Sequence, residues 1–202
     1  MLFGDGLAQA VTFAALLADD GVRRGVIGPR EVPRLWERHL LNSAVVATVC
    51  PPGARVLDVG SGAGLPGIPL ALARPDLDVV LLEPLQRRCD FLADALASLG
   101  LDRVRVHRGR AEDPAVRAAL GGSAVVVARA VAPLDRLVGW TLPLVAPGGR
   151  LVALKGAGAS EELEQAQETL RQLGVAHAAV QVLGEGLLAE PATVVVVRRA
   201  AR

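Results

Sequence analysis

The chain is poor in aromatic side chains: of 202 residues three are Phe, two are Trp and none is Tyr. That excludes single-strand recognition by stacking bases on an aromatic platform. Lysine is scarcer still, Lys155 being the only one among 22 basic residues. Two cysteines, Cys50 and Cys89, are too few and too oddly spaced for a disulfide framework, a zinc cluster or a redox pair. They fit a reducing cytoplasm, the expected location. No apolar run reaches the length that spans a bilayer. The opening "MLFGDGLAQAVTFAALLADDG" lacks the basic start of a signal peptide, and Asp5 and Asp19 bracket its apolar run. A soluble protein with no membrane partner is expected. A net charge of +1 gives no global pull toward nucleic acid or anionic lipid. Any basic surface must be local.

What is present is apolar and periodic. Apolar residues make up 51% and charged residues 21%, the balance of a compact globular chain. From Arg55 onward short β-branched runs alternate with helical stretches. The runs "RVLDV", "DVVLLE", "VRVHR", "AVVVARA" and "RLVALK" end near Val59, Glu83, Arg108, Ala130 and Lys155. The clearest helix is Gln86 to Leu99, whose apolar residues recur at three and four. Near-continuous apolar strands alternating with helices predict a parallel sheet covered on both faces, with ligands bound at the carboxyl ends of its strands. After a helix over Ser160 to Leu173, "AHAAVQVLG" and "ATVVVVRR" follow with no helix between them, so they should pair antiparallel. The expected fold class is α/β and Rossmann-like: a mostly parallel sheet, a C-terminal antiparallel strand pair and an N-terminal helical appendage. Residues 1–53 form the appendage, broken at "GVRRGVIGPREVP" by glycines and prolines. Residues 54–202 form the sheet domain.

The stretch "VLDVGSGAGLPGIPLA" places Gly60, Gly62 and Gly64 in a strand-to-helix turn. Glycines there let a ligand touch backbone, and Pro66 suits the start of a helix. The same pattern serves dinucleotides, so it is weak alone. Two acids shift the balance. Asp58, at the end of the first strand, would repel a pyrophosphate but suits a ligand carrying a sulfonium and an ammonium. Glu83, at the end of the second, can accept both ribose hydroxyls, and as a rim residue should be replaceable without loss of stability. In "GRAED" Glu112 can accept an adenine amino group while the backbone near Ala111 donates to the ring. S-adenosylmethionine is the expected cofactor.

The fourth strand, "AVVVARAVAPL", lacks the Asn/Asp-Pro-Pro-aromatic turn used on exocyclic amines. Neither cysteine ends a strand, which excludes the thiol nucleophile of pyrimidine C5 methylation. The rim shows no surplus of acids or histidines, so no metal is expected. What remains is transfer to an atom already nucleophilic, such as guanine N7, whose in-plane lone pair needs only alignment. The cations Arg129, Arg136, Arg150 and Lys155 face one acid, Asp135. Arg129 and Lys155 end strands on the rim and can meet phosphates or guanine O6, whereas Arg136 and Arg150 read as ordinary surface cations. A small-molecule methyltransferase is the alternative. An NAD-dependent oxidoreductase is disfavoured by Asp58 and by the absence of a substrate domain.

The stretches "LWERHLLNSAVV", "LDVGSGAGLPGIPLALARPDL", "LLEPLQRRCDFL", "RGRAED", "ARAVAPLDRL" and "ALKG" resemble the bacterial small-subunit ribosomal RNA guanine-N7 methyltransferases, the RsmG or GidB family. The likeness runs from about Gly28 to Arg199 and is to the actinobacterial type. A Trp-Asn…Asn-Leu-Thr segment found in many members is replaced here by "RGVIGPREVPRLWERH". The resemblance implies S-adenosylmethionine at Gly60, Leu65, Glu83, Ala111, Glu112 and Arg129. It implies 16S ribosomal RNA or the small subunit as partner, with His39, Asn42 and Lys155 toward the substrate and Arg129 and Lys155 as catalytic residues. A monomer is expected.

Overall fold

The computed structural model describes residues 2–201. Seven strands form one sheet: β1 (Arg55–Val59), β2 (Asp78–Glu83), β3 (Arg105–Arg108), β4 (Ser123–Arg129), β5 (Val145–Leu154), β6 (Val175–Leu183) and β7 (Ala192–Arg199). Their order across the sheet is β3-β2-β1-β4-β5-β7-β6. The first five pair in parallel. β7 runs antiparallel to both β5 and β6, as two strands without a crossover helix must. The order reverses direction between β1 and β4, and such a switch opens a crevice at the strands' carboxyl ends.

The helices follow from the covering that parallel strands require. Val56 and Leu57 in β1, and Val125 through Ala128 in β4, are buried on both faces, which is why these strands read as continuous apolar runs. One face carries α1 (Leu7–Leu16), α2 (Asn42–Ala44), α3 (Gly67–Ala73) and α4 (Gln86–Leu99). The other carries α5 (Pro114–Leu120), α6 (Leu134–Thr141), α7 (Ala159–Gln165) and α8 (Gln167–Gln172). α4 has the bounds its periodicity predicts. The single helix expected over Ser160 to Leu173 is instead two. Ala166, at ψ −6°, interrupts it, and Ala166 and Leu170 are both buried in the second core.

α2 is the middle of a longer helical run, made of Leu35–Leu41, Asn42–Ala44 and Val45–Val49, preceded by a 3-10 segment at Pro29–Arg34. Phe13, Leu17, Leu40, Val45 and Val46 are almost wholly buried in the same core as Val56, Val79 and Val125. The N-terminal helices therefore share the sheet's core, and the first part of the run 35–49 lies against its carboxyl rim, where Arg38, His39 and Ser43 meet Arg129.

Candidate active site

Two adjoining clefts open at the carboxyl ends of the strands. The first, about 370 Å³, is lined by Gly60, Glu83, Ala111, Glu112, Val131 and Trp140 among others, a volume within the range of small-molecule sites. Its floor is the glycine turn. The N–H groups of Gly60 and Ser61 both donate to Leu82 O, at 2.8 and 3.2 Å, which carries the β1–β2 pairing into the turn. Gly60 has φ +72°, and a Cβ there would stand 2.7 Å from Val131 Cγ2, so only glycine fits.

Glu83 is almost wholly buried. Its Oε2 accepts the Gly62 N–H at 2.9 Å, its Oε1 accepts the Leu85 N–H at 3.0 Å, and the Arg88 guanidinium lies 3.8 Å away. One carboxylate thus ties the glycine turn to the loop after β2. Its oxygens keep lone pairs beyond those two bonds. At the third loop Asp113 caps α5 by accepting the Ala115 N–H at 2.8 Å, so the neighbouring acids divide their work: Asp113 holds the helix and Glu112 lines the cleft.

Asp58 departs from expectation. Its side chain is fully buried behind the turn and does not line the cleft. Its Oδ2 accepts the Gly67 N–H at 3.0 Å, while Oδ1 is buried without a partner. Gly67 is required by this approach, because a Cβ would come 2.7 Å from Oδ2 and would collide with Leu81. Asp58 therefore pins the start of α3 rather than meeting a ligand across open space. Gly64 packs against Ile68 and Leu92, and Leu65 is buried; neither lines the cleft.

Burial pushes the Asp58 carboxyl up to about 7, with the Gly67 N–H opposing and the charge of Glu83 adding to the rise. From the ordinary carboxylate range to about pH 7 the folded protein keeps a proton that the unfolded chain has released. The stability from this group is thus complete at low pH and is lost as pH rises through 7. Asp58→Asn removes the titration. We expect the melting temperature of the wild type, minus that of the variant, to fall between pH 5 and pH 7 and then level off; a difference independent of pH would contradict the assignment.

The second cleft, about 1020 Å³, is lined by Arg34, Arg38, Asn42, Arg129, Lys155 and Glu162 among others, and meets the first at Ala130 and Val131. Ala130 has φ +53° and is the only non-glycine residue with positive φ among the described residues. That conformation costs roughly 1–2 kcal/mol and bends the chain between the clefts. Arg129 lines the second cleft, next to the point where the two clefts meet. Asn42 lines the second cleft, with its Oδ1 buried and unpartnered.

Two other expectations change. His39 is buried behind Arg129 and does not line the cleft. Its Nδ1 accepts from Arg129 Nη2 at 2.7 Å and its Nε2 lies 2.7 Å from Glu31 Oε2. Burial, and then the charge of Arg129, push the imidazole below its ordinary value, with Glu31 opposing. Lys155 lines the cleft but is not free: Nζ donates to Glu162 Oε2 at 2.7 Å and to Ala132 O at 2.9 Å. Glu162 Oε2 also accepts the Leu134 N–H at 3.0 Å. In this state the lone lysine braces the loop after β4. The other two cations lie elsewhere. Arg136 stacks on Trp140 at 5.0 Å from the ring centroid, and Arg150 donates to Val49 O at 3.3 Å.

Sequence reading missed Arg34, Arg38, Arg88, Trp140 and Glu162. Arg34, Arg38 and Asn42 recur every four residues, a helical stripe that could have flagged the first two. Arg88, Trp140 and Glu162 come from the helices α4, α6 and α7, and only the packing of those helices brings them to the rim.

The sheet order, the glycine turn and an acid ending β2 define the class I S-adenosylmethionine-dependent methyltransferase fold. An O-methyltransferase of that cofactor class from Thermotoga maritima superposes with a TM-score of 0.59 at 16% identity, over 85% of this chain and 71% of that one; the likeness is one of fold. The family model for rRNA small subunit methyltransferase G matches residues 6–190. Ribosomal RNA small subunit methyltransferase G of Kineococcus radiotolerans is 61% identical over 186 residues, 92% of this chain and 72% of that protein. Its counterpart from Streptomyces coelicolor is 57% identical over 194 residues, 96% of this chain and 80% of that protein. The chain belongs to the rRNA small subunit methyltransferase G family, also called GidB.

Membership makes it an S-adenosylmethionine-dependent methyltransferase of ribosomal RNA. The residues fit that cofactor: Glu83, an acid with lone pairs beyond its two backbone bonds, lines the first cleft beside the glycine turn. Among the described residues no group of three or more His, Cys, Asp or Glu could hold a metal ion, and no helix is long and apolar enough to cross a membrane.

Proposed function

We propose that the chain methylates N7 of a guanine in the 16S RNA of the small ribosomal subunit, without a strong general base. The observation that carries this reading is the second cleft. It adjoins the first cleft, is lined by Arg129 and Asn42, and has no His, Cys, Asp or Tyr among its described lining residues. Of its two acids, Glu162 is engaged by Lys155 and by the Leu134 N–H. An exocyclic amine would need its lone pair freed by deprotonation or by a polar clamp; guanine N7 needs neither. Its lone pair lies in the ring plane, so the protein has only to align it.

Glu83, Glu112 and the backbone of Gly60 and Ala111 would hold the cofactor, which when bound supplies an electrophilic methyl group. Arg129 suits guanine O6, leaving the N7 lone pair free, and the Asn42 amide suits the polar groups on the opposite edge of the base. Arg34 and Arg38 at the cleft mouth suit phosphates, which position RNA without reading its sequence. Incubating the protein with methyl-labelled S-adenosylmethionine and small subunits lacking this modification tests the reading. We expect label at one guanine, recovered as 7-methylguanine. Label on another atom or base, or transfer only to small molecules, would refute it.

A further inference from the structure

We infer that His39 is a positioning residue for methyl transfer: its neutral ring, oriented by Glu31, aims the Arg129 guanidinium into the acceptor cleft without neutralising it. The inference rests on the proposed reaction and adds a residue that does not touch the substrate. Arg129 has five N–H donors. The two on Nη2 go to His39 Nδ1 at 2.7 Å and to Arg38 O at 3.1 Å, and Nη1 lies 3.5 Å from Ser43 Oγ. All three acceptors belong to the helical run 35–49. The Nε–H and the second Nη1–H have no acceptor among the described residues and remain for a ligand.

The pairing is unusual in what it omits. A partly buried arginine is most simply satisfied by a carboxylate, which cancels its charge. Lys155, across the same cleft, is treated that way by Glu162 at 2.7 Å. Arg129 instead meets an uncharged ring, and the carboxylate, Glu31, stands on the far side of that ring, 2.7 Å from Nε2. Two contacts set the tautomer. A guanidinium only donates, so Nδ1 must carry a lone pair; the ring proton then sits on Nε2 and donates to Glu31. The imidazole passes orientation from the N-terminal segment to Arg129 while keeping the opposing charge one ring away. Ring burial and the nearby guanidinium both favour the neutral form.

Two substitutions separate positioning from packing. In His39→Asn an amide oxygen takes the place of Nδ1, so the acceptor for Arg129 survives and the link to Glu31 is lost. In His39→Gln the amide reaches toward Glu31 and the acceptor beside Arg129 is lost. With saturating S-adenosylmethionine and small subunits as acceptor, we expect kcat/KM to fall roughly 10- to 100-fold in His39→Gln, the scale of a charged hydrogen bond. His39→Asn should recover most of that loss, and cofactor Kd should stay unchanged in both. Equal activities in the two variants, or a matching loss of cofactor affinity, would overturn the inference.

A spectroscopic measurement needs neither substrate nor variant at this position. Nitrogen-15 shifts of the His39 ring in the wild type should report the Nε2–H tautomer. An Nδ1–H ring in the wild type would overturn the inference. Failure of wild-type protein to methylate the subunits, with the tautomer as stated, would instead refute the reaction and leave the Glu31–His39–Arg129 arrangement standing.

Discussion

Replacing Arg129 with Ala should abolish most methyl transfer to the small subunit while leaving S-adenosylmethionine bound at near wild-type affinity. Each hydrogen bond from a charged donor is worth about 1.5–3 kcal/mol, so losing one to the base should slow single-turnover transfer roughly 10- to 100-fold. Misalignment of N7 adds to that. The separation of the two effects follows from position. Arg129 lines the second cleft, proposed for the acceptor, and the first begins only at Ala130. Arg129→Lys should recover little, because an ammonium is a point charge that cannot meet His39 Nδ1 and Arg38 O while presenting a planar edge to a base. Single-turnover transfer, with cofactor titration of the same preparations, tests the claim. If Arg129 bonds a phosphate instead of a base, its loss should lower the slope of log affinity against log salt by about 0.7 on single-stranded RNA. Wild-type rates from Arg129→Ala would remove the residue from the acceptor site altogether.

Glu83→Ala is expected to damage both the cofactor site and the fold. Ribose hydroxyls that lose a carboxylate acceptor forfeit roughly 1.5–3 kcal/mol each, so cofactor affinity should fall by at least about 100-fold for the pair. The sequence alone suggested a rim residue whose loss the fold would tolerate. The structure shows otherwise, because the same carboxylate accepts the N–H groups of Gly62 and Leu85 and is almost wholly buried. Each buried donor left unpaired costs about 1–3 kcal/mol, so the melting temperature should fall as well. Glu83→Gln keeps one acceptor oxygen and should be milder in both respects. Calorimetric titration on protein shown to be folded separates the effects, and unchanged affinity in that fraction would make Glu83 purely structural.

The architecture could be read from the chain because its determinants are local. Apolar runs of strand length, separated by helical periodicity, can only be covered from both sides. The missing helix between Leu183 and Ala192 forces an antiparallel pair. The order of those elements puts the ends of β1, β2 and β4 on one rim, so Gly60, Glu83 and Arg129 were identifiable before any coordinate. The same logic locates Glu112 beside the first cleft, since the loop after β3 must lie on that rim.

What a side chain does once there depends on which other segments fold against it, and only the tertiary structure decided it. Asp58 looks like a ligand-facing acid from its place in the motif, yet the close approach of Gly67 turns it beneath the turn and burial changes its protonation. Lys155 stands out by its rarity, but Glu162 and the Ala132 carbonyl, from the following helix and the preceding loop, hold its ammonium. His39 reads as a substrate contact until the fold sets Arg129, ninety residues later, against its Nδ1. Sequence determines which groups reach the rim, because strand register is set by adjacent residues. Whether a group faces a ligand, a backbone amide or another charge is settled by contacts between segments that sequence distance does not encode.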